Sequence, residues 1–202
     1  MKTTLNKIRE KSPCTNGWKK LLAHLGKTQA DDEPLSLITI LDSNGLADAL
    51  WCLRAVEGYD REIRLYTVWC ARQVQHLMTD KRSLDALDVA ERYANGLPTE
   101  YELDIARDAA RDAAGAAQWD MQWATAKDAA GEAARHAASA AQWDAEKDVA
   151  RDVACEAACD AACAAQWVAA DAAGAAGAVA WDAAWDAARD AQAKRLREVC
   201  TV

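Results

Sequence analysis

Through the first hundred residues, apolar side chains recur at three- and four-residue steps, the spacing that lines one face of an α-helix. In "CTNGWKKLLAHLG" the apolar positions are Trp18, Leu21, Leu22 and Leu25, with Thr15 or Asn16 placed to cap the start and Gly26 to stop the helix. "ADDEP" reads as a charged connector, and "DSNG" as a turn after "LSLITIL". Seven residues do not separate strand from buried helix in "LSLITIL", but the neighbouring helical signals favour helix. Helical spacing resumes over Leu46 to Val56, and a longer helix is expected from Tyr59 to Met78, with Ile63, Thr67, Cys70, Ala71, Val74, Leu77 and Met78 turned to the core.

Asp80 precedes "KRSLDALDVAERYA" as an N-cap, and "NGLP" ends that helix: Asn95 and Gly96 suit a left-handed C-terminal residue, and Pro98 blocks continuation. Thr99 and Glu102 then have the spacing of a capping box that opens another helix.

Beyond residue 98 proline disappears and the pattern becomes a repeat. Residues 107–130, 131–154 and 155–178 align at a 24-residue period, with "AAQWD" at 116–120 and 140–144 and "AAQWV" at 164–168. A fourth, divergent unit carries Trp181 and Trp185. Alanine favours helix in almost any context. On an unbroken helix 24 residues turn through six revolutions plus about 240°, so Trp119, Trp143 and Trp167 would head in three directions. A rod from 107 to 190 would also be about 126 Å long, with no heptad of large residues to pair it. The repeats should therefore fold back on one another as a multi-helix bundle or short α-solenoid. Turns are expected near 115–120, Gly131, 139–144 and 174–177. The expected division is a loose segment over 1–14, a helical region over 15–98, and an Ala/Trp-rich region over 99–202 packed with it as one domain.

Composition sharpens this all-α reading. Phenylalanine is absent, and the large apolar residues lie mostly before Tyr101. Alanine faces let helices approach closely, and each Trp supplies the large contact that alanine lacks. "AAQWD" thus reads first as packing, with Gln or Asp capping near a turn. The net charge of −8 resides in the repeats, where residues 107–190 hold 15 acidic and 7 basic side chains. That balance argues against nucleic acid and anionic membrane as partners. "MKTTLNKIREKSPC" lacks the apolar core of a secretory signal, and no run approaches a membrane span, so a cytoplasmic protein is expected.

Seven cysteines without a framework spacing read as reduced thiols. Cys155, Cys159 and Cys163 recur every four residues and drift about 40° per step around a helix. With no histidine at zinc spacing they read as small buried stand-ins for alanine, so no metal and no cofactor is expected. The stripe Trp69, Arg72, Gln73 and His76, with Arg64 nearby, combines an aromatic plate, cations, an amide and an imidazole. It suits a carboxylate, a phosphate or a base, or else a hydrogen-bond cluster against the acidic repeats. No glycine-rich phosphate loop, zinc-protease motif or nucleophile elbow occurs, so an enzyme is not expected.

One stretch also resembles a known family. Cys70, Asp80, Arg82, Ala86, Leu87, Tyr93, Ala94 and Gly96, followed by Arg107 and Arg111, are similar to the succession of helices in the immunity-protein family of bacteria and phages known as Imm-5-like, over about Trp69 to Ala117. The resemblance implies an all-α protein that binds and neutralises a partner, with no catalytic residues to carry over. The expected function is therefore an immunity or phage counter-defence factor that occludes a toxin or defence protein. Its anchors would come from Arg64, Trp69, Arg72, Gln73, His76, Trp119, Trp123, Trp143, Trp167, Trp181 and Trp185. Two other readings stand beside it: a sponge that holds a signalling nucleotide between helices, and a structural protein that self-associates into a homo-oligomer.

Overall fold

The computed structural model of the chain describes residues 1–97, 100–118, 125–142, 147–173 and 177–201. Among them the order of elements is β1 (Lys2–Thr3), α1 (Leu5–Glu10), α2 (Thr15–Leu25), β2 (Leu35–Ser36), α3 (Leu37–Asn44), α4 (Leu46–Cys52), α5 (Asp60–Arg72), α6 (Lys81–Ala94), α7 (Glu100–Gln118), α8 (Thr125–Gln142), α9 (Lys147–Ala173) and α10 (Gly177–Cys200). Short 3-10 turns follow α4 at Leu53–Ala55 and α5 at Gln75–Leu77. The architecture is the expected all-α multi-helix bundle. Its sheet is a two-residue antiparallel ladder in which Lys2 faces Ser36 and Thr3 faces Leu35.

The first fourteen residues are not loose. Leu5 and Ile8 are buried on α1, the Thr4 side chain caps that helix by accepting from the Lys7 amide, and the Thr3 hydroxyl donates to the Ala55 carbonyl. The Met1 ammonium donates to the Cys200 carbonyl at 2.8 Å, which joins the two ends of the chain. The polar side chains between Leu5 and Ile8 suggested solvent, but one apolar stripe on a six-residue helix suffices once β2 pairs with β1.

Local chemistry explains several helix ends. Gly26 closes α2 in the left-handed conformation at φ 64°. The start of α2 is capped by Cys14, whose Sγ accepts from the Gly17 amide, rather than by Thr15 or Asn16. "LSLITIL" is helical after its first two residues, and the helix continues through "DSN" to Gly45 at φ 96°, so the turn there narrows to a single glycine. Asp80 caps α6 as expected by accepting from the Arg82 amide, and Gly96 follows α6 at φ 76°. Pro98 and Thr99, and with them the expected capping box, lie outside the described residues.

One expected helix is broken. The segment Tyr59 to Met78 is α-helical only from Asp60 to Arg72. The amides of Gln73 and Val74 reach back three residues, to the carbonyls of Cys70 and Ala71, and the backbone then enters the 3-10 turn. The tightening still buries Val74 and Met78, so the apolar positions are satisfied without a continuous helix.

Large side chains fill the N-terminal core: Leu37, Ile40, Leu50, Leu53, Val56 and Tyr66 are each almost wholly buried. The alanine-rich helices close over it with a different chemistry. On α8 the buried alanines are Ala130, Ala133, Ala134, Ala137 and Ala138, an unbroken three-four stripe, and on α9 they include Ala157, Ala158, Ala161, Ala162 and Ala164. Helix α9 packs against α8, α10, α5 and α4 and so joins both halves of the chain. Polar side chains fix the register. His136 on α8 places Nδ1 2.7 Å from Asp160 Oδ2 and Nε2 3.1 Å from Glu156 Oε2, both on α9. Gln192 on α10, 2 % exposed, donates to the Ala158 carbonyl at 2.7 Å.

Residues 107–190 thus form several packed helices and not one shaft. The equivalence of the repeats is not confirmed. Gln118 and Gln142 are the last residues of α7 and α8, but Gln166 of the third copy is buried within α9, which runs on to Ala173. The third copy has Val168 where the others have Asp120 and Asp144, and the latter two lie outside the described residues. Gly131 likewise lies inside α8 and marks no turn. The other expected turns, near 115–120, 139–144 and 174–177, fall on or run into residues 119–124, 143–146 and 174–176, which lie outside the described residues. Of the cysteine ladder, Cys159 is exposed and Cys163 half-buried rather than sealed in the core, and Cys155 falls outside the described side chains.

Candidate functional site

Loss of the continuous helix dismantles the expected stripe and rebuilds part of it. Trp69 on α5, Gln73 just after it and His76 in the 3-10 turn line one cavity of about 250 Å³, closed by Ala161, Ala165 and Val168 of α9 and by Ala188, Ala191 and Gln192 of α10. Trp69 stacks beside Tyr66 with ring centroids 6.4 Å apart, and the Arg195 guanidinium lies 6.0 Å from its ring. The Gln73 amide donates to the Trp69 carbonyl at 3.2 Å.

Arg72 turns the other way. Its Nη2 donates to Asp88 at 2.6 Å and to Glu91 at 2.8 Å, both on α6, and Nη1 donates to Gln75 at 3.0 Å. Partial burial works against its charge, but the two carboxylates outweigh that and hold its pKa above the ordinary guanidinium value. The cluster expected against the acidic repeats is therefore made with α6. Arg64 lies over Tyr93, 5.3 Å from the ring centroid, on the α6 side as well. Among the described residues that line the cavity there is no cation, so its polar surface comes from amides and an imidazole.

The tryptophans divide. Trp167 and Trp181 meet edge to face with centroids 4.5 Å apart, and Trp167 keeps 40 % of its surface exposed beside Val168 at 39 %. Trp185 is half-buried and carries the Arg189 guanidinium 5.6 Å from its ring. Trp119, Trp123 and Trp143 lie outside the described residues.

A more exposed feature was not among the expected anchors. Helix α7 buries Leu103, Ala106, Ala110 and Ala113, at three- and four-residue steps. On its opposite face stand Tyr101 at 73 % exposure and Ile105 at 53 %, followed at the next turns by Asp108 and Asp112; Leu97, before the helix, is 76 % exposed. Arg107 is engaged within the helix, 2.9 Å from Asp108 and 3.7 Å from Asp104. The outward face is thus apolar at its start and acidic further on. The four-residue step from Tyr101 to Ile105 was visible in the sequence, but alanine on every side hid which face would be buried.

Among the described residues no three His, Cys, Asp or Glu side chains are gathered as a metal site, and no helix is long and apolar enough to cross a membrane. Comparison of the chain with family models, with curated proteins and with solved structures gives no match.

Proposed function

We propose that the chain is a non-enzymatic binding protein of the immunity or counter-defence kind, which neutralises a partner protein by covering part of its surface with the outward face of α7. One observation carries the reading: Tyr101 and Ile105 stand in solvent one turn apart on a helix that buries Leu103, Ala106, Ala110 and Ala113 on its opposite face. Large apolar side chains that gain nothing from folding are the usual anchors of an interface, with tyrosine enriched among its hot spots. Helix α7 carries five acidic side chains against two arginines, so the complementary partner presents an apolar pocket bordered by Lys or Arg. Charge of that kind speeds encounter and rejects acidic competitors.

A nucleotide trap at the Trp69 cavity draws less support. Arg72, the cation that would meet a phosphate, is engaged by Asp88 and Glu91 on the far side, and amides with one imidazole are a weak match for a polyanion.

The test is affinity capture from bacterial lysate by the wild-type chain and by Tyr101→Asp and Ile105→Asp, with retained proteins and small molecules identified by mass spectrometry. The expected result is one basic protein retained by the wild type and lost from both variants, while Gln73→Ala retains it. Retention by all four chains, a co-purifying nucleotide, or self-association through Ile105 as the only interaction overturns the proposal.

A further inference from the structure

A second cavity, of about 280 Å³, lies among α2, α3 and α4, far along the chain from the features above. Its body is apolar: Trp18 and Leu21 of α2, Ile40 of α3 and Trp51 of α4 line it. One charged group faces this surface, the carboxylate of Asp48. Its setting is built with some precision. The Asn44 amide donates to Asp48 Oδ2 at 2.8 Å and to the Gly17 carbonyl at 2.8 Å, which ties the carboxylate to α2 and α3 together. Gly17 is what allows the approach, since a Cβ there would stand 2.7 Å from Asp48 Oδ2. Among the described residues no Lys or Arg forms an ion pair with Asp48; the nearby Lys20 ammonium reaches the Asn44 carbonyl, and Arg54 lies over Trp51, 4.4 Å from its ring centroid.

A half-buried carboxylate positioned by an amide, beside two indoles and without a cationic partner, has a defined complement. We infer that this cavity binds a small organic amine: the ammonium pairs with Asp48 and the apolar body lies between Trp18 and Trp51. The cavity is near the lower end of the about 300–1,000 Å³ typical of ligand sites, which suits a single ring on a short chain. A charge-assisted hydrogen bond to the carboxylate supplies selectivity, and indole surface supplies most of the contact. The inference uses no part of α7 and stands apart from the proposed docking function. An exposed thiol gives an independent readout, because Cys14 lines the same cavity, whereas Cys52 at its base is buried, with a thiol pushed up to about 12 by desolvation.

Titration calorimetry of the full chain with 2-phenylethylamine, 2-phenylethanol and phenylacetate tests the site, since the three share a ring and differ in charge. The amine is expected to bind about tenfold more tightly than the alcohol, and phenylacetate more weakly than either. Asp48→Asn should bring amine and alcohol to equal affinity, and Trp18→Leu should weaken both in parallel. Bound amine should also slow alkylation of Cys14 by iodoacetamide, read on the Cys14 peptide. The inference is overturned if no amine binds at millimolar concentration, if amine and alcohol bind equally to the wild type, or if Asp48→Asn leaves the preference intact.

Discussion

Replacing Gln192 by Met removes the polar tie between α10 and α9 while keeping side-chain length and volume. In the folded chain the Gln192 amide donates to the Ala158 carbonyl at 2.7 Å, its oxygen accepts from Arg189 at 3.2 Å, and its backbone carbonyl accepts from the Tyr66 hydroxyl at 3.4 Å. Methionine loses the first two and keeps the third. Ala158 lies inside α9, so its carbonyl retains its helical partner and is not orphaned. Arg189 is half-exposed and recovers water. The cost should therefore be that of one net hydrogen bond, about 1 kcal/mol, or a fall in Tm of about 2–4 °C for a chain of this size. Gln192→Ala adds the cavity left by the removed atoms and should cost about 2–5 kcal/mol in all. Urea unfolding followed by far-UV circular dichroism measures both. If Met and Ala variants both unfold with the wild type, Gln192 does not join the helices and the packing of α10 described above is wrong.

Other perturbations address the caps, the alanine seam and the thiols. Ala134→Leu forces a large side chain into the fully buried stripe of α8 and should cost about 1–3 kcal/mol in the same assay. Asp80→Ala should cost about 0.5–2 kcal/mol by uncapping α6, whereas Asp80→Asn keeps a capping oxygen and should cost less. Arg82, through its side chain and then its amide, holds the Asp80 carboxyl below its ordinary value. That contribution is therefore complete above the unfolded pKa of about 3.9 and lost as pH falls through the lower folded value, and acid titration of stability should show a shallower decline for Asp80→Asn. Thiol labelling at neutral pH should modify Cys14 and Cys159 first, while Cys52 and Cys70, both pushed up to about 12 by burial, react only after denaturation.

Where local chemistry decided the structure, the sequence could be read directly. Asp80 and Gly26 sit at helix ends because a carboxylate can accept from the first free amides and a glycine can adopt positive φ, and neither depends on a distant partner. Where tertiary contact decided it, reading failed in identifiable ways. Leu5 and Ile8 are only two apolar residues among charges, and they are buried because β1 finds β2 some thirty residues on. The break after Arg72 follows from how Val74 and Met78 reach the core, a choice that periodicity over Tyr59 to Met78 does not reveal. The alanine period pointed to several packed helices, yet Gln118 and Gln142 are the last residues of α7 and α8 while Gln166 lies inside α9, so the period does not mark equivalent positions. The Trp18–Trp51 cavity left one faint trace, a glycine at residue 17 inside a helix, where alanine would ordinarily be favoured.

The docking proposed for the outer face of α7 requires the alanine-rich half to fold back over the N-terminal helices, since only then is the inner face of α7 covered. Small-angle X-ray scattering on the monomeric fraction from size exclusion reads this without a partner. A folded-back chain of 202 residues should have a radius of gyration of about 17 Å. A value near twice that, with a maximum dimension approaching the about 126 Å of an extended shaft, would contradict it.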